Sequence, residues 1–150
     1  MKAALSVVVA LLVAACSDST GIARGVRVNT DASFYALPPA NGPQPPLVPV
    51  RFTVKNTGST AISLPNCGAG VTGELQQQQL GEWVTVQSGI CQTFAVYVAL
   101  VVAPGESAEG QTTVSAAGRY RVRIAILSAG DEEPTRHAIS PTFRAGFLEN

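Results

Sequence analysis

The 150-residue chain carries 10 Lys and Arg against 10 Asp and Glu, a formal net charge of zero, and only 13% of its residues are charged. A chain of this length builds one hydrophobic core, and balanced charge removes the electrostatic footprint that a nucleic-acid partner would require. Val, Thr, Ala, Gly and Pro are plentiful while no sustained Leu/Glu/Lys/Ala pattern appears, which favours an all-β domain.

Met1 and Lys2 give a minimal positive start, followed by the thirteen residues Ala3 to Ala15, whose only polar side chain is Ser6, and then Cys16. Thirteen apolar residues are too few to span a bilayer, which takes about 20, but suit the roughly 7–15 residues of a signal-peptide core. The end of the run, Val13-Ala14-Ala15-Cys16, resembles the lipobox of bacterial lipoproteins, in which small residues precede a cysteine that becomes diacylated. That resemblance implies a cleaved signal peptide over residues 1–15 and a lipidated Cys16 as the first mature residue. The partner it implies is the membrane, reached through the lipid on Cys16, and the location is the extracytoplasmic cell envelope. Ser17 after the cysteine is similar to lipoproteins sent to an outer membrane where one exists. Two or three acyl chains, at about 0.8 kcal/mol per buried CH₂, hold far more firmly than one. Loss of Lys2 with the leader leaves nine bases against ten acids.

Residues 16–25 then read as a lipidated flexible tether, and residues 26–150 as the domain. The first strand is expected at Val26 to Asn29 or at the neighbouring Ala32 to Ala36. Leu37 to Pro49 holds six of the ten prolines. Proline removes backbone donors and forces extended or turn conformations, so this stretch is expected as a stiff loop before the main sheet. From Val50 the period of two is clear, with Val50, Phe52 and Val54 facing a core and Arg51, Thr53 and Lys55 facing water, before Asn56-Thr57-Gly58-Ser59 turns the chain. Thr60 to Leu64 is a short return strand. Val71 to Gln78 and Trp83 to Gln87 form a hairpin around Leu80-Gly81-Glu82. Phe94 to Val102 is nine apolar residues without charge, expected as a central strand covered on both sides. Ser107 to Val114 places Ala108 and Val114 inward. Gly118 to Ile126 alternates most cleanly, with Tyr120, Val122, Ile124 and Ile126 on one face and Arg119, Arg121 and Arg123 on the other. Ala138 to Phe147, interrupted by Pro141, suits a sheet edge. Some seven to nine short strands with regular turns describe a single antiparallel β-sandwich.

Gly118-Arg119-Tyr120, followed by alternating apolar residues, resembles the tyrosine-corner strand of immunoglobulin-like sandwiches, and implies that fold over about Val50 to Phe147. Val122 stands where antibody domains carry the second cysteine of their inter-sheet disulfide. Asn56-Thr57-Gly58, Gly81-Glu82-Trp83-Val84, Pro104-Gly105-Glu106-Ser107 and Gly118-Arg119-Tyr120 are also similar to BsuPI-like proteinase inhibitor domains, a resemblance carried mostly by turns.

With Cys16 assigned to lipid, Cys67 and Cys91 form an even pair in an exported chain, most simply a disulfide worth about 3 kcal/mol through loop closure. No second pair of cysteines or carboxylate cluster accompanies them as zinc ligands, and no Cys-x-x-Cys suggests redox chemistry. No metal site and no cofactor are expected. His137, the only histidine, lies in the loop-like context Pro134-Thr135-Arg136-His137 without a nucleophile elbow, and reads as a surface residue. Asp131, Glu132 and Glu133 lack the alternating spacing of a calcium loop. Arg119, Arg121 and Arg123 form a possible binding face for an anionic surface or an acidic envelope protein, set against an ordinary solvated face paired with Glu106 or Glu109. Trp83 is expected in the core, and Tyr97 is a further candidate binding aromatic. The expected function is a non-enzymatic, lipid-anchored binding or accessory module, with proteinase inhibition as the alternative.

Overall fold

The computed structural model describes residues 22–39, 42, 44–68, 70–89, 98–127 and 136–148. Its eleven strands are β1 (Val26–Thr30), β2 (Phe34–Ala36), β3 (Val48–Asn56), β4 (Ile62–Asn66), β5 (Glu74–Gln79), β6 (Glu82–Gln87), β7 (Val98–Val102), β8 (Ser107–Val114), β9 (Gly118–Ile126), β10 (Arg136–Ile139) and β11 (Phe143–Gly146). The count exceeds the expected seven to nine for two reasons. Both candidate first strands form, and Pro141 splits the last one into β10 and β11.

The strands build an immunoglobulin-like sandwich. One layer is the sheet β1-β3-β8, and the other is β2-β11-β9-β5-β6, with β10 also paired to β9 and the two-stranded ladder β4-β7 alongside. Alternation decides which residues meet between the layers. Val50, Phe52 and Val54 of β3 and Tyr120, Val122, Ile124 and Ile126 of β9 are all at most 3% exposed. At about 25 cal/mol per Å² of apolar surface, each such side chain contributes roughly 1.5–3 kcal/mol. Among the described residues the core runs from Ala23 to Ala145. β3 and β8 pair from Val48↔Val114 to Lys55↔Ser107. Across that ladder Gly110 faces Phe52, and a Cβ there would lie 2.3 Å from the ring, so only glycine lets the phenyl ring cross the strand.

Tyr120 Oη donates to the Ala116 carbonyl at 2.8 Å, the tyrosine corner that Gly118-Arg119-Tyr120 suggests. Its ring stacks on Phe143 (centroids 5.8 Å apart), which meets Tyr35 edge-on at 5.2 Å. The β5–β6 hairpin turns on Leu80 and Gly81, with φ of 50° and 91°. Positive φ at both centres matches the strand twist, and strains the leucine.

Asn56 is a turn residue by sequence, yet it is fully buried. Its Nδ2 donates to the carbonyls of Thr60 (2.8 Å) and Val102 (3.0 Å), while its Oδ1 accepts from the Gly58 N–H at 3.0 Å. One amide therefore ties the end of β3 to its own turn and to β7.

Four expectations change. Pro49 lies inside β3 rather than in the preceding loop; β1 covers β3 only as far as Phe52, so β3 has a single neighbour, β8, at the proline. β7 is not a central strand covered on both sides. Among the described residues it pairs with β4 alone, and Val101 is 62% exposed while Val102 is buried, so the described part of its apolar run has one core-facing side; residues 94–97 lie outside the described residues. β11 is not the sheet edge, because β2 adds to it in parallel through Arg144↔Phe34 to Gly146↔Ala36. Finally, packing begins before Val26. Ala23 is buried and its N–H donates to the His137 carbonyl at 2.8 Å, beside an Ile22↔His137 bridge.

Candidate binding face

The outer face of the larger sheet collects the polar side chains singled out by alternation. β9 turns Arg119, Arg121 and Arg123 outward, and the antiparallel register of β5 sets Gln76 opposite Arg121 and Glu74 opposite Arg123. β6 then places Thr85 opposite Gln76 and Trp83 opposite Gln78.

These arginines are not equivalent. Arg123 Nη1 lies 3.1 Å from Glu74 Oε2, and its Nη2 lies 3.2 Å from His137 Nδ1. With imidazole neutral at that nitrogen, Arg123 donates to both groups. Burial first, and the Arg123 charge second, hold the His137 pKa below its ordinary value. Arg121 Nε donates to Gln76 Oε1 at 2.8 Å, and its guanidinium carbon stands 4.4 Å from the centre of the Trp83 ring. The buried Gln76 amide passes the chain on to Thr85 Oγ1 at 3.3 Å. Burial, and then repulsion from Arg123, lower the Arg121 pKa from its ordinary value; stacking on the indole offsets part of that cost.

Arg119 differs. It is exposed, and the register of β11 puts the exposed Arg144 directly opposite it. Neither guanidinium makes an ion pair or side-chain hydrogen bond among the described residues. Phe34, 45% exposed, stands opposite Arg144 on β2. The row Phe34, Arg144, Arg119 thus crosses three adjacent strands on one face.

The sequence expectations divide accordingly. The three-arginine stripe shares a face, but Arg121 and Arg123 are engaged in it and only Arg119 stands free. Glu106 and Glu109 are not their partners. Glu106 Oε2 accepts from the Ala103 N–H at 3.1 Å, and Glu109 belongs to β8 in the other sheet. Trp83 is half-buried under Arg121 on the outer face rather than in the core, because the pleat of β6 turns it to the same face as Thr85, which is paired with Gln76. His137 lies in β10, not in a loop. Cys67 follows β4, half-buried and not free. Cys16, Cys91, Tyr97, Asp131, Glu132 and Glu133 lie outside the described residues. Among the described residues no three His, Cys, Asp or Glu side chains converge as metal ligands.

Arg144 and Phe34 were not singled out from sequence. Phe143-Arg144-Ala145 does alternate, but nothing local says that β11 lies against β9. On the other sheet a shallow hollow of about 310 Å³ is lined by Asp31, Arg51, Thr53, Glu109 and Gln111. There Asp31 Oδ1 accepts from the Tyr35 hydroxyl and, at 3.2 Å, from the Arg51 N–H. Burial first, and the Asp31 hydrogen bond second, push the Tyr35 pKa up to about 12.

No family model matches the chain, and no curated protein matches it. Among solved structures, the X-ray structure of Northeast Structural Genomics Consortium target SoR45 is similar at a TM-score of 0.55 and 18% identity, over 85% of this chain and 94% of that one. The ASH/PapD-like domain of human CEP192 (PapD-like domain 7) aligns over 100% of this chain and 99% of that one at 9% identity and a TM-score of 0.34. At 18% identity the likeness to the first concerns the fold alone.

Proposed function

We propose that the chain is a lipid-anchored lipoprotein of the cell envelope, whose sandwich is a non-enzymatic binding or accessory module outside the cytoplasm. The observation that carries this reading is the ordered N-terminus: Lys2, the apolar run, Val13-Ala14-Ala15, and then Cys16. The domain geometry is compatible with it. Ala23 is already docked, so the path from Cys16 to Ile22 is six residue steps, about 20 Å when fully extended. The sandwich would therefore sit close to the membrane, on the outer-membrane side of sorting if Ser17 acts as it does in similar lipoproteins. Export also supports the Cys67–Cys91 disulfide, as does the bonded state of the Cys67 sulfur. On the outer face the described side-chain partner of His137 is Arg123, a cation that suits a binding surface.

Metabolic labelling with a palmitate analogue tests the anchor. The wild-type chain takes up label and Cys16→Ser does not; an unlabelled wild-type chain in cells that label other lipoproteins refutes the reading. Crosslinking in the native envelope then identifies the partner, and turnover of an envelope substrate by the purified protein would contradict the non-enzymatic assignment.

Proteinase inhibition is the second reading, supported by the BsuPI-like turns and by Leu80, fully exposed at the hairpin tip. Its positive φ is unlike the extended backbone that a protease cleft grips. Stoichiometric inhibition across a panel of serine proteases would favour this reading over the first.

A further inference from the structure

The geometry points to the row Phe34, Arg144, Arg119, with the apolar rim beyond it, as a membrane-contact surface that takes the anionic headgroups of the phospholipid layer beneath the domain. This inference rests on the envelope-lipoprotein reading for its location, but not for its chemistry.

Four observations converge. First, Arg119 and Arg144 are directly opposed on neighbouring strands, where Cβ atoms stand about 4.5–5.5 Å apart and like charges repel. Among the described residues no carboxylate joins them, so a phosphate oxyanion bridging the two planar forks relieves the repulsion. Second, the charge is lopsided. The described outer face sets Arg119, Arg121, Arg123 and Arg144 against Glu74, whereas on the other sheet Arg27, Arg51 and Lys55 are accompanied by Asp31, Glu106 and Glu109.

Third, apolar side chains flank the free arginines. Phe34 continues the row, and just past β11 Phe147 and Leu148 are 59% and 68% exposed at the rim of a depression of about 430 Å³. Cationic groups beside exposed aromatic and aliphatic ones make a surface that settles into a headgroup region. Fourth, the patch lies along the sheet edge where the tether arrives. Ile22 pairs in parallel with β10 at His137 as β2 pairs in parallel with β11. His137 is opposite Ala125 and Arg144 opposite Arg119, so the two points are six β9 residues apart, about 20 Å. A tether of similar reach lets the domain lie down on this face.

Vesicle co-sedimentation of the unlipidated chain beginning at Ser17 tests the surface, with phosphatidylcholine vesicles compared with vesicles of phosphatidylcholine and phosphatidylglycerol in equal parts. The chain is expected to bind the anionic vesicles, to leave them at high salt, and to ignore the neutral ones. The double variant Arg119→Gln/Arg144→Gln is expected to bind about thirtyfold more weakly, two surface charges' worth of attraction. Arg51→Gln/Lys55→Gln on the other sheet is expected to bind like wild type, which shows that net charge alone is not the cause. Equal binding to both vesicle types, unchanged binding by the Arg119/Arg144 variant, or no binding to either vesicle would overturn the inference; the last outcome leaves the face to an acidic protein. Because the chain tested carries no lipid, an unmodified Cys16 in cells would not alter these results, and palmitate labelling reports on the anchor separately.

Discussion

Replacing Asn56 by alanine is expected to destabilise the sandwich by about 2–4 kcal/mol. The amide makes three hydrogen bonds, to the carbonyls of Thr60 and Val102 and from the Gly58 N–H. Alanine removes them all. A buried polar group left unpaired costs about 1–3 kcal/mol. Thr60 and Gly58 lie in a turn that water reaches, so their lost partners are partly replaced. The Val102 carbonyl is in the buried end of β7 and bears the full cost. Against a domain stability of about 5–15 kcal/mol this is a large fraction. Urea unfolding followed by fluorescence of Trp83, the single tryptophan, measures the difference. Asn56→Asp refines the argument. Its carboxylate keeps the Gly58 bond but turns a negative oxygen on two carbonyls, so the neutral acid is favoured in the folded state and its pKa rises. Stability is then best below the ordinary carboxylate range and is lost as pH climbs through the raised value. Destabilisation of Asn56→Ala by less than about 0.5 kcal/mol, the range of ordinary surface substitutions, would refute the reasoning.

Three further outcomes follow from the same geometry. Gly110→Ala is expected to cost at least about 1–3 kcal/mol, read in the same urea assay, since its Cβ would lie 2.3 Å from both the Phe52 ring and the Val71 carbonyl oxygen. Leu80→Asn is expected to raise the thermal midpoint, gaining about 1 kcal/mol, because Asn-Gly tolerates the left-handed turn that Leu80 is forced into. His137 is expected to titrate below its ordinary value by NMR, its lone imidazole making the assignment direct. Because the folded pKa is depressed, the unfolded chain binds the proton first: stability is intact above the unfolded value of 6.5 and falls as pH drops from there through the folded value. His137→Gln is expected to remove that acid-side loss.

What could be read in advance follows from how local each signal is. β3 and β9 announce themselves because strict alternation needs only neighbouring residues, and Tyr120 announces its corner because its partner, Ala116, is four positions away. Pairings between distant segments are not written locally. Nothing in Phe94 to Val102 distinguishes a strand covered on both faces from one covered on one, and Val101 faces outward because it alternates with the buried Val102 on a strand with one core-facing side. The arginine stripe was visible as a face, but its division was not. Arg121 and Arg123 are occupied by Gln76, Trp83, Glu74 and His137, which reach them from β5, β6 and β10, whereas Arg119 meets another arginine. Asn56 misled for a related reason. Asn before Thr-Gly is good turn chemistry, and only the approach of β7 shows that the same side chain is a buried tie.

The anchor remains the claim from which location and tether descend, and mass spectrometry of the N-terminal peptide released from membranes tests it most directly. The account predicts a peptide that begins at Cys16 and carries the mass of a diacylglyceryl group. An N-terminus at any other residue, or an unmodified Cys16, would contradict it.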